Sequence, residues 1–91
     1  MSDLRIEGSR RLFDRALRVL VEGVSSPSRG PANYGAFPLF MERADGAYIW
    51  DVDGNRYIDW MVTYGLEPLG HAHPVIVDAV RDAAAAGPHF A

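Results

Sequence analysis

The sequence predicts an α+β fold in which a helix is followed by a three-stranded antiparallel meander and a second helix. Three observations favour this fold: an apolar stripe with helical spacing near the start, Asp-Gly turn signals between short alternating segments, and a second apolar stripe that follows a proline. The chain has 91 residues, of which 48% are hydrophobic and 23% charged, a balance typical of folded rather than disordered chains. We expect one small unit with a thin core, because short chains bury a limited share of their surface.

The first predicted helix covers residues 9–22. Ser9 is the predicted N-cap, and Gly23 is the residue predicted to end the helix. The apolar stripe consists of Leu12, Phe13, Ala16, Leu17, Leu20 and Val21, and the other face of Arg10, Arg11, Asp14, Arg15 and Arg18. This second face is either a phosphate-binding patch or a solvated surface with an Asp14–Arg18 pair. The acidic total of the chain favours the solvated surface.

Residues 23–38 are predicted to form a loop, because glycine and proline recur throughout the segment. Loops of this length inside a folded unit usually serve a function. Its aromatic residues, Tyr34 and Phe37, favour an ordered loop over a disordered one.

Residues 39–60 are predicted to form the antiparallel meander, with strands at 39–43, 47–52 and 56–60. Asp45-Gly46 is a strong hairpin signal between the first two strands, and Asp53-Gly54-Asn55 is predicted to turn the chain into the third. The alternation places Tyr48 and Trp50 on one face of the sheet. Three strands with one apolar face need something to cover that face.

A second helix is predicted at residues 74–86, after a connection at 61–73. Pro74 lies at the favoured first helical position, and Gly87-Pro88 ends the helix. The predicted buried stripe consists of Ile76, Ala79, Val80 and Ala83.

Composition argues against several classes of protein. The chain has no cysteine, so disulfides and thiolate chemistry are not available to it. The net charge of −3 and a pI of about 5.4 disfavour nucleic acid as a partner. The N-terminus carries charges and no long apolar run, so we expect neither a signal peptide nor a membrane partner, and a cytoplasmic location.

Two clusters of polar residues resemble metal sites, but each lacks ligands that such a site requires. The run 51–55 begins like a calcium loop, but Arg56 and Val62 occupy the positions that require glycine and glutamate, so a tight turn is favoured. His71 and His73 lack a third ligand at a familiar spacing, and a capping or supporting role is favoured over zinc. The Gly-x-Ser-x-Gly signature of a hydrolase is absent as well. We predict no metal.

Three runs give the chain a family resemblance: GVSSPSR at 23–29, WDVDGNRYID at 50–59 and GHAHP at 70–74. In order and spacing the chain resembles the N-terminal part of glutamate-1-semialdehyde 2,1-aminomutase and its class III aminotransferase relatives. The second and third runs are shared widely among class III aminotransferases. The first run is narrower and favours the aminomutase branch.

The resemblance implies a fold-type I enzyme that depends on pyridoxal 5′-phosphate, is α/β in its complete form and is a homodimer. Residues 1–91 would be its N-terminal segment, which supplies substrate-pocket and dimer contacts, while the large cofactor domain is not in this chain. The family binds the cofactor covalently through a lysine. This chain has nine arginines and no lysine, so no catalytic residue and no confident cofactor-binding residue is assigned to it. We expect the lysine to lie beyond Ala91, the partner to be the remainder of the enzyme, and the isolated chain to be inactive.

The resemblance also implies substrate-binding roles for Ser26, Arg29 and Tyr64. A guanidinium binds a carboxylate through two parallel hydrogen bonds, so Arg29 suits an amino acid or keto acid substrate; otherwise it is a surface loop residue. Tyr64 stands where the aminomutases usually carry a tryptophan, and it either lines the pocket or packs in the interior. The family's Trp-Gly-Pro is here Tyr64-Gly65-Leu66. A class III aminotransferase with another amino-acid or amino-sugar substrate, or a non-catalytic interaction module, therefore remains an alternative.

Overall fold

The computed structural model describes residues 4–30, 35 and 38–87, and it has the predicted order of helix, antiparallel sheet and helix. The regular elements are helix α1 (Glu7–Ala16), strands β1 (Met41–Asp45), β2 (Tyr48–Asp51) and β3 (Arg56–Ile58), and helix α2 (Pro74–Ala86). Short 3-10 turns lie at Val21–Gly23 and Pro27–Arg29, and one further helical turn at Val62–Gly65. The predicted α+β fold class is confirmed.

Helix α1 lies earlier than the predicted range 9–22. Its end differs because helices are stabilised mainly by packing of an apolar face. The apolar side chains after Ala16, namely Leu17, Val19, Leu20 and Val21, are exposed, so nothing among the described residues holds them in a helix. After Ala16 the backbone forms 3-10-type hydrogen bonds, in which the amides of Arg18 and Val19 donate to the carbonyls three residues earlier. The predicted Asp14–Arg18 ion pair does not form.

The start of α1 differs because its first turn is capped by a residue distant in the sequence. The carboxylate of Asp53 accepts hydrogen bonds from the amides of Gly8 at 2.6 Å and Ser9 at 3.0 Å. Ser9 is therefore not the N-cap; its hydroxyl accepts a hydrogen bond from the Phe40 amide at 2.9 Å and ties α1 to the residue before β1. Asp53 satisfies amides that an isolated helix would leave unpaired.

The turn between β2 and β3 is organised around Asp51, whose side chain has no exposed area. One carboxylate oxygen accepts the amides of Asp53 at 3.0 Å and Asn55 at 2.9 Å. The other accepts the Asn55 side-chain amide at 2.9 Å and the Tyr57 hydroxyl at 2.7 Å. Asn55 also donates to the Arg5 carbonyl at 2.6 Å. We call Asp51, Asp53, Asn55 and Tyr57 the polar clasp, because together they join α1 to the sheet.

The clasp shifts two ionisation equilibria. Burial raises the pKa of Asp51, but the hydrogen bonds from Asn55 and Tyr57 outweigh it, and the pKa lies below its ordinary value. Burial, and then the hydrogen bond to Asp51, raise the pKa of Tyr57 to about 12. Both shifts favour an ionised Asp51 beside a neutral Tyr57.

The sheet is a meander in the order β1-β2-β3. Asp45 pairs with Tyr48, which leaves Gly46 (φ +58°) and Ala47 as the two central residues of the first hairpin. The strands are shorter than or shifted from the predicted ranges, and an irregularity between Met41 and Arg43 interrupts the register with β2.

One face of the sheet carries stacked aromatic and basic side chains, in agreement with the predicted orientation of Tyr48 and Trp50. Their ring centroids lie 6.1 Å apart. The guanidinium of Arg43 lies 3.5 Å from the Trp50 ring centroid, and that of Arg56 lies 4.6 Å from the Tyr48 centroid. These cation–π contacts partly cover the aromatic face.

Apolar burial is limited in the part of the chain that the structure describes. Ala16 and Pro38 are its buried apolar side chains, whereas Val21 and Trp60 are each 87% exposed. The predicted stripe of α2 is exposed as well. Neither described helix is long and apolar enough to cross a membrane.

Candidate substrate groove

Two adjoining cavities of about 480 and 540 Å³ lie between the loop after α1, the sheet and the connection after β3. The residues that line both are Arg29, Met41, Ile49, Asp59, Met61 and Tyr64. We call this combined space the groove. Its walls combine apolar side chains with polar ones, since Glu42, Arg43, Thr63 and His71 also line the smaller cavity.

Arg29 is the cationic residue common to both cavities. It ends the 3-10 turn Pro27–Arg29, and its Nη1 donates a hydrogen bond to the Ser25 hydroxyl at 3.2 Å. Within the described residues Arg29 makes no ion pair. Its guanidinium therefore retains donors for a carboxylate.

Ser26 differs from the other two predicted site residues, because it does not line the groove. It precedes the Pro27–Arg29 turn, and its hydroxyl lies 3.0 Å from that of Ser28. The neighbouring Ser25, which sequence reasoning missed, lines the larger cavity and contacts Arg29. The remainder of the predicted loop at 31–34 and 36–37 lies outside the described residues.

Tyr64 reaches the groove from a left-handed turn. Val62, Thr63 and Tyr64 have φ values of 42°, 53° and 57°, and Gly65 follows at 83°. Left-handed geometry costs roughly 1–2 kcal/mol for each residue that carries a Cβ. Such conformations persist only where surrounding contacts enforce them, and they concentrate at functional sites. The Tyr64 residue is 72% exposed.

A histidine–carboxylate pair lies beside this turn and lines the smaller cavity. His71 Nε2 and Asp59 Oδ2 are 2.5 Å apart, and the two side chains are 14% and 11% exposed. The hydrogen bond from His71 is the largest cause that lowers the pKa of Asp59; burial opposes it, and the amides of Val62 and Met61 add to the lowering. An ionised Asp59 can only accept hydrogen bonds, which assigns the donor role in this contact to His71 Nε2.

A family model, "Aminotransferase class-III", matches residues 30–91, which include β1 to β3, the connection to α2 and α2 itself. The chain belongs to the class III aminotransferase family. The chain is also 45% identical over 89 residues to glutamate-1-semialdehyde 2,1-aminomutase of Salinibacter ruber. The matched region is 98% of this chain and 20% of that protein. It is 49% identical over 86 residues to the enzyme of the same name from Sorangium cellulosum, and the match covers 94% of this chain and 20% of that protein.

Solved structures agree with this assignment. A structure described as a transaminase with PLP bound has a TM-score of 0.83 at 31% identity, over 92% of this chain and 19% of that one. A β-phenylalanine aminotransferase from Variovorax paradoxus has a TM-score of 0.78 at 36% identity, over 89% and 18%. A glutamate-1-semialdehyde aminomutase from Pseudomonas aeruginosa PAO1 has a TM-score of 0.76 at 26% identity, over 89% and 18%. The chain thus spans about a fifth of the length of the relatives it matches.

The other polar clusters of this class III aminotransferase chain have structural roles. The oxygens of Asp51 and Asp53 accept hydrogen bonds from backbone and side-chain donors, which explains the calcium-like run without a metal. His73 Nδ1 accepts a hydrogen bond from the Val75 amide at 3.3 Å, so His73 caps α2 as predicted. No grouping of metal-binding side chains occurs among residues 4–30, 35 and 38–87.

Proposed function

We propose that this chain is the segment of a pyridoxal-phosphate-dependent enzyme that binds the acid group of a small substrate. The reaction is the movement of an amino group, as in the conversion of glutamate-1-semialdehyde to 5-aminolevulinate. The aminomutase relatives at 45–49% identity support this choice. We use "holoenzyme" below for the assembly of this chain with the rest of the enzyme.

The observation that carries the proposal is that Arg29 and Tyr64 line the same groove. The two residues come from different loops, and they provide a cation with unused donors and an aromatic ring in the same groove. Such a pair suits a substrate that carries a carboxylate on a short carbon chain. Arg29 binds the carboxylate, and Tyr64 packs against the carbon chain. In this proposal Ser26 supports the arginine loop from outside the groove and does not bind substrate directly.

The cofactor belongs to the remainder of the enzyme. When bound, pyridoxal phosphate supplies the electron-withdrawing ring that allows an amino group to move between carbon atoms. The donor set of the groove fits a substrate carboxylate, and the chain has no lysine for a covalent bond to the cofactor. This chain therefore contributes substrate binding and orientation.

The exposed apolar surface supports assembly with the rest of the enzyme. Trp60, Leu66 and Leu69 are exposed in the connection after β3, and Val19 and Val21 after α1. Monomeric proteins rarely expose contiguous apolar patches of large size. In the proposed holoenzyme, a homodimer in the cytoplasm, these side chains pack against the cofactor domain or the second subunit.

A second candidate function is that of an aminotransferase with another amino-acid or amino-sugar substrate. The replacement of the aminomutases' Trp-Gly-Pro by Tyr64-Gly65-Leu66 favours it, because this turn forms part of the groove wall. The similarity to a β-phenylalanine aminotransferase structure gives it further support.

Turnover of the purified holoenzyme with added pyridoxal phosphate separates the two functions. An aminomutase converts glutamate-1-semialdehyde without a second substrate, because the amino group returns to the same molecule. An aminotransferase requires an amino donor and a keto acid acceptor. Absence of both activities, together with no uptake of the cofactor, would refute the proposal.

A further inference from the structure

The Asp59–His71 pair lines the groove, and the substrate contacts proposed above give it no role. A role for the pair in substrate binding rests on the proposed function. The pair belongs neither to the polar clasp nor to the cap of α2. Both side chains are largely buried, and they form a direct hydrogen bond between Oδ2 and Nε2 at the groove wall.

The second oxygen of Asp59 holds the start of the left-handed turn. Asp59 Oδ1 accepts hydrogen bonds from the amides of Met61 at 3.0 Å and Val62 at 3.1 Å. These amides directly precede Thr63 and Tyr64, whose φ values are 53° and 57°. Because such backbone needs external support, the orientation of Asp59 influences where Tyr64 lies.

His71 is fixed from the opposite side by the tip of the first hairpin. Its amide donates to the Gly46 carbonyl and its carbonyl accepts from the Gly46 amide, each at 2.9 Å. Gly70 passes so close to Gly46 that a Cβ there would lie 3.2 Å from Gly46 backbone atoms. The hairpin therefore holds His71, His71 orients Asp59, and Asp59 holds the turn that carries Tyr64.

We propose that Asp59 and His71 are positioning residues that hold Tyr64 against the groove and so determine affinity for the carbon chain of the substrate. Neither residue needs to contact the reacting atoms. Their role is distinct from that of Arg29, which binds the acid group.

The test is a double-mutant cycle on the holoenzyme, with His71→Ala, Tyr64→Ala and the combined variant. If His71 acts through Tyr64, His71→Ala raises KM about tenfold, equivalent to about 1.4 kcal/mol, and leaves kcat within about threefold. In the Tyr64→Ala background the same substitution then adds little, because the residue that it positions is already gone. His71→Gln retains a side-chain N–H donor and restores most of the affinity.

A second readout does not depend on activity. Hydrogen exchange of the amides at 61–65 becomes faster in His71→Ala and Asp59→Asn, and returns towards the wild-type rate in His71→Gln. His73→Ala is the matched control, because His73 caps α2 and does not line the groove. If His71→Ala does not fold, Asp59→Asn carries the same measurements, and His71→Gln remains the conservative comparison.

The outcomes separate this inference from the proposed function. Additive effects of His71→Ala and Tyr64→Ala on KM, or unchanged exchange at 61–65, overturn the positioning role while amino-group transfer remains. A fall in kcat with KM unchanged also overturns it, since this result would indicate direct participation in the reaction. A holoenzyme without cofactor uptake or turnover refutes the proposed function, and the exchange measurement still decides the role of the pair.

Discussion

Asp53 caps helix α1 from 45 residues further along the chain, with its Oδ1 2.6 Å from the amide of Gly8. A side chain at position 8 would occupy the space of this carboxylate, because an ideal Cβ there lies 2.7 Å from Oδ1. The cap from Asp53 therefore requires that residue 8 carry no side chain.

We predict that Gly8→Ala lowers the melting temperature of the holoenzyme. Glycine to alanine inside a helix normally stabilises a protein by up to about 1 kcal/mol. Here the added methyl group displaces Asp53, and loss of a cap costs about 0.5–2 kcal/mol. In an Asp53→Ala background the same change becomes neutral or stabilising. A melting temperature that rises with Gly8→Ala alone would contradict this account.

A second prediction concerns Tyr57 at alkaline pH. Burial and the hydrogen bond to Asp51 raise its pKa to about 12, above the ordinary value of 10.0. The neutral phenol is thus favoured in the folded state, and its contribution to stability is complete below about pH 10 and is lost between about pH 10 and 12. Ultraviolet difference titration of wild type against Tyr57→Phe should show one phenol ionising near pH 12. Tyr48→Phe is the control, and the step should remain in that variant.

Arg29→Ala in the holoenzyme should weaken substrate binding. Loss of a charge-assisted bidentate contact costs roughly 1.5–3 kcal/mol, so we expect KM to rise by about 10- to 100-fold. Arg29→Lys should recover part of the affinity, because lysine keeps the charge and loses the paired donors. Arg18→Ala, at an exposed arginine outside the groove, serves as the control. Unchanged kinetic constants in Arg29→Ala would remove the carboxylate role.

The isolated 91-residue chain should not unfold cooperatively, because few apolar side chains in its described part are buried. It should also form no borohydride-stable lysine adduct with pyridoxal phosphate, since it contains no lysine. Calorimetry and gel filtration of the purified chain test the first expectation, and mass spectrometry tests the second. A monodisperse 10.0 kDa monomer with a sharp thermal transition would count against the need for a partner.

The parts of the fold that sequence reasoning predicted well depend on local interactions. Asp45-Gly46 and Gly54 mark the two turns, and Pro74 marks the first residue of α2, because turn and cap preferences act over a few residues. The end of α1 was predicted wrongly, since the apolar spacing continues past Ala16 while its tertiary support does not.

The site was predictable only in part, because its geometry depends on contacts between distant residues. Arg29 and Tyr64 line one groove, whereas Ser26 lies outside it and Ser25, which was not predicted, lines it; the substrate-binding roles stay predictions. The Asp59–His71 pair was missed although both residues belong to the runs that carry the family resemblance. Nothing in their spacing indicates that the chain turns left-handed between them.

The polar clasp also sets an order of events during synthesis. Residues 7–16 form a short helix whose first-turn amides are satisfied by Asp53, and helices of this length are marginal on their own. A ribosome adds about 5–20 residues per second, so the 45 residues between Gly8 and Asp53 take about 2–9 seconds to make. During that interval the first helix of the nascent chain has no cap, because the cap is supplied only after the second turn of the meander has been translated.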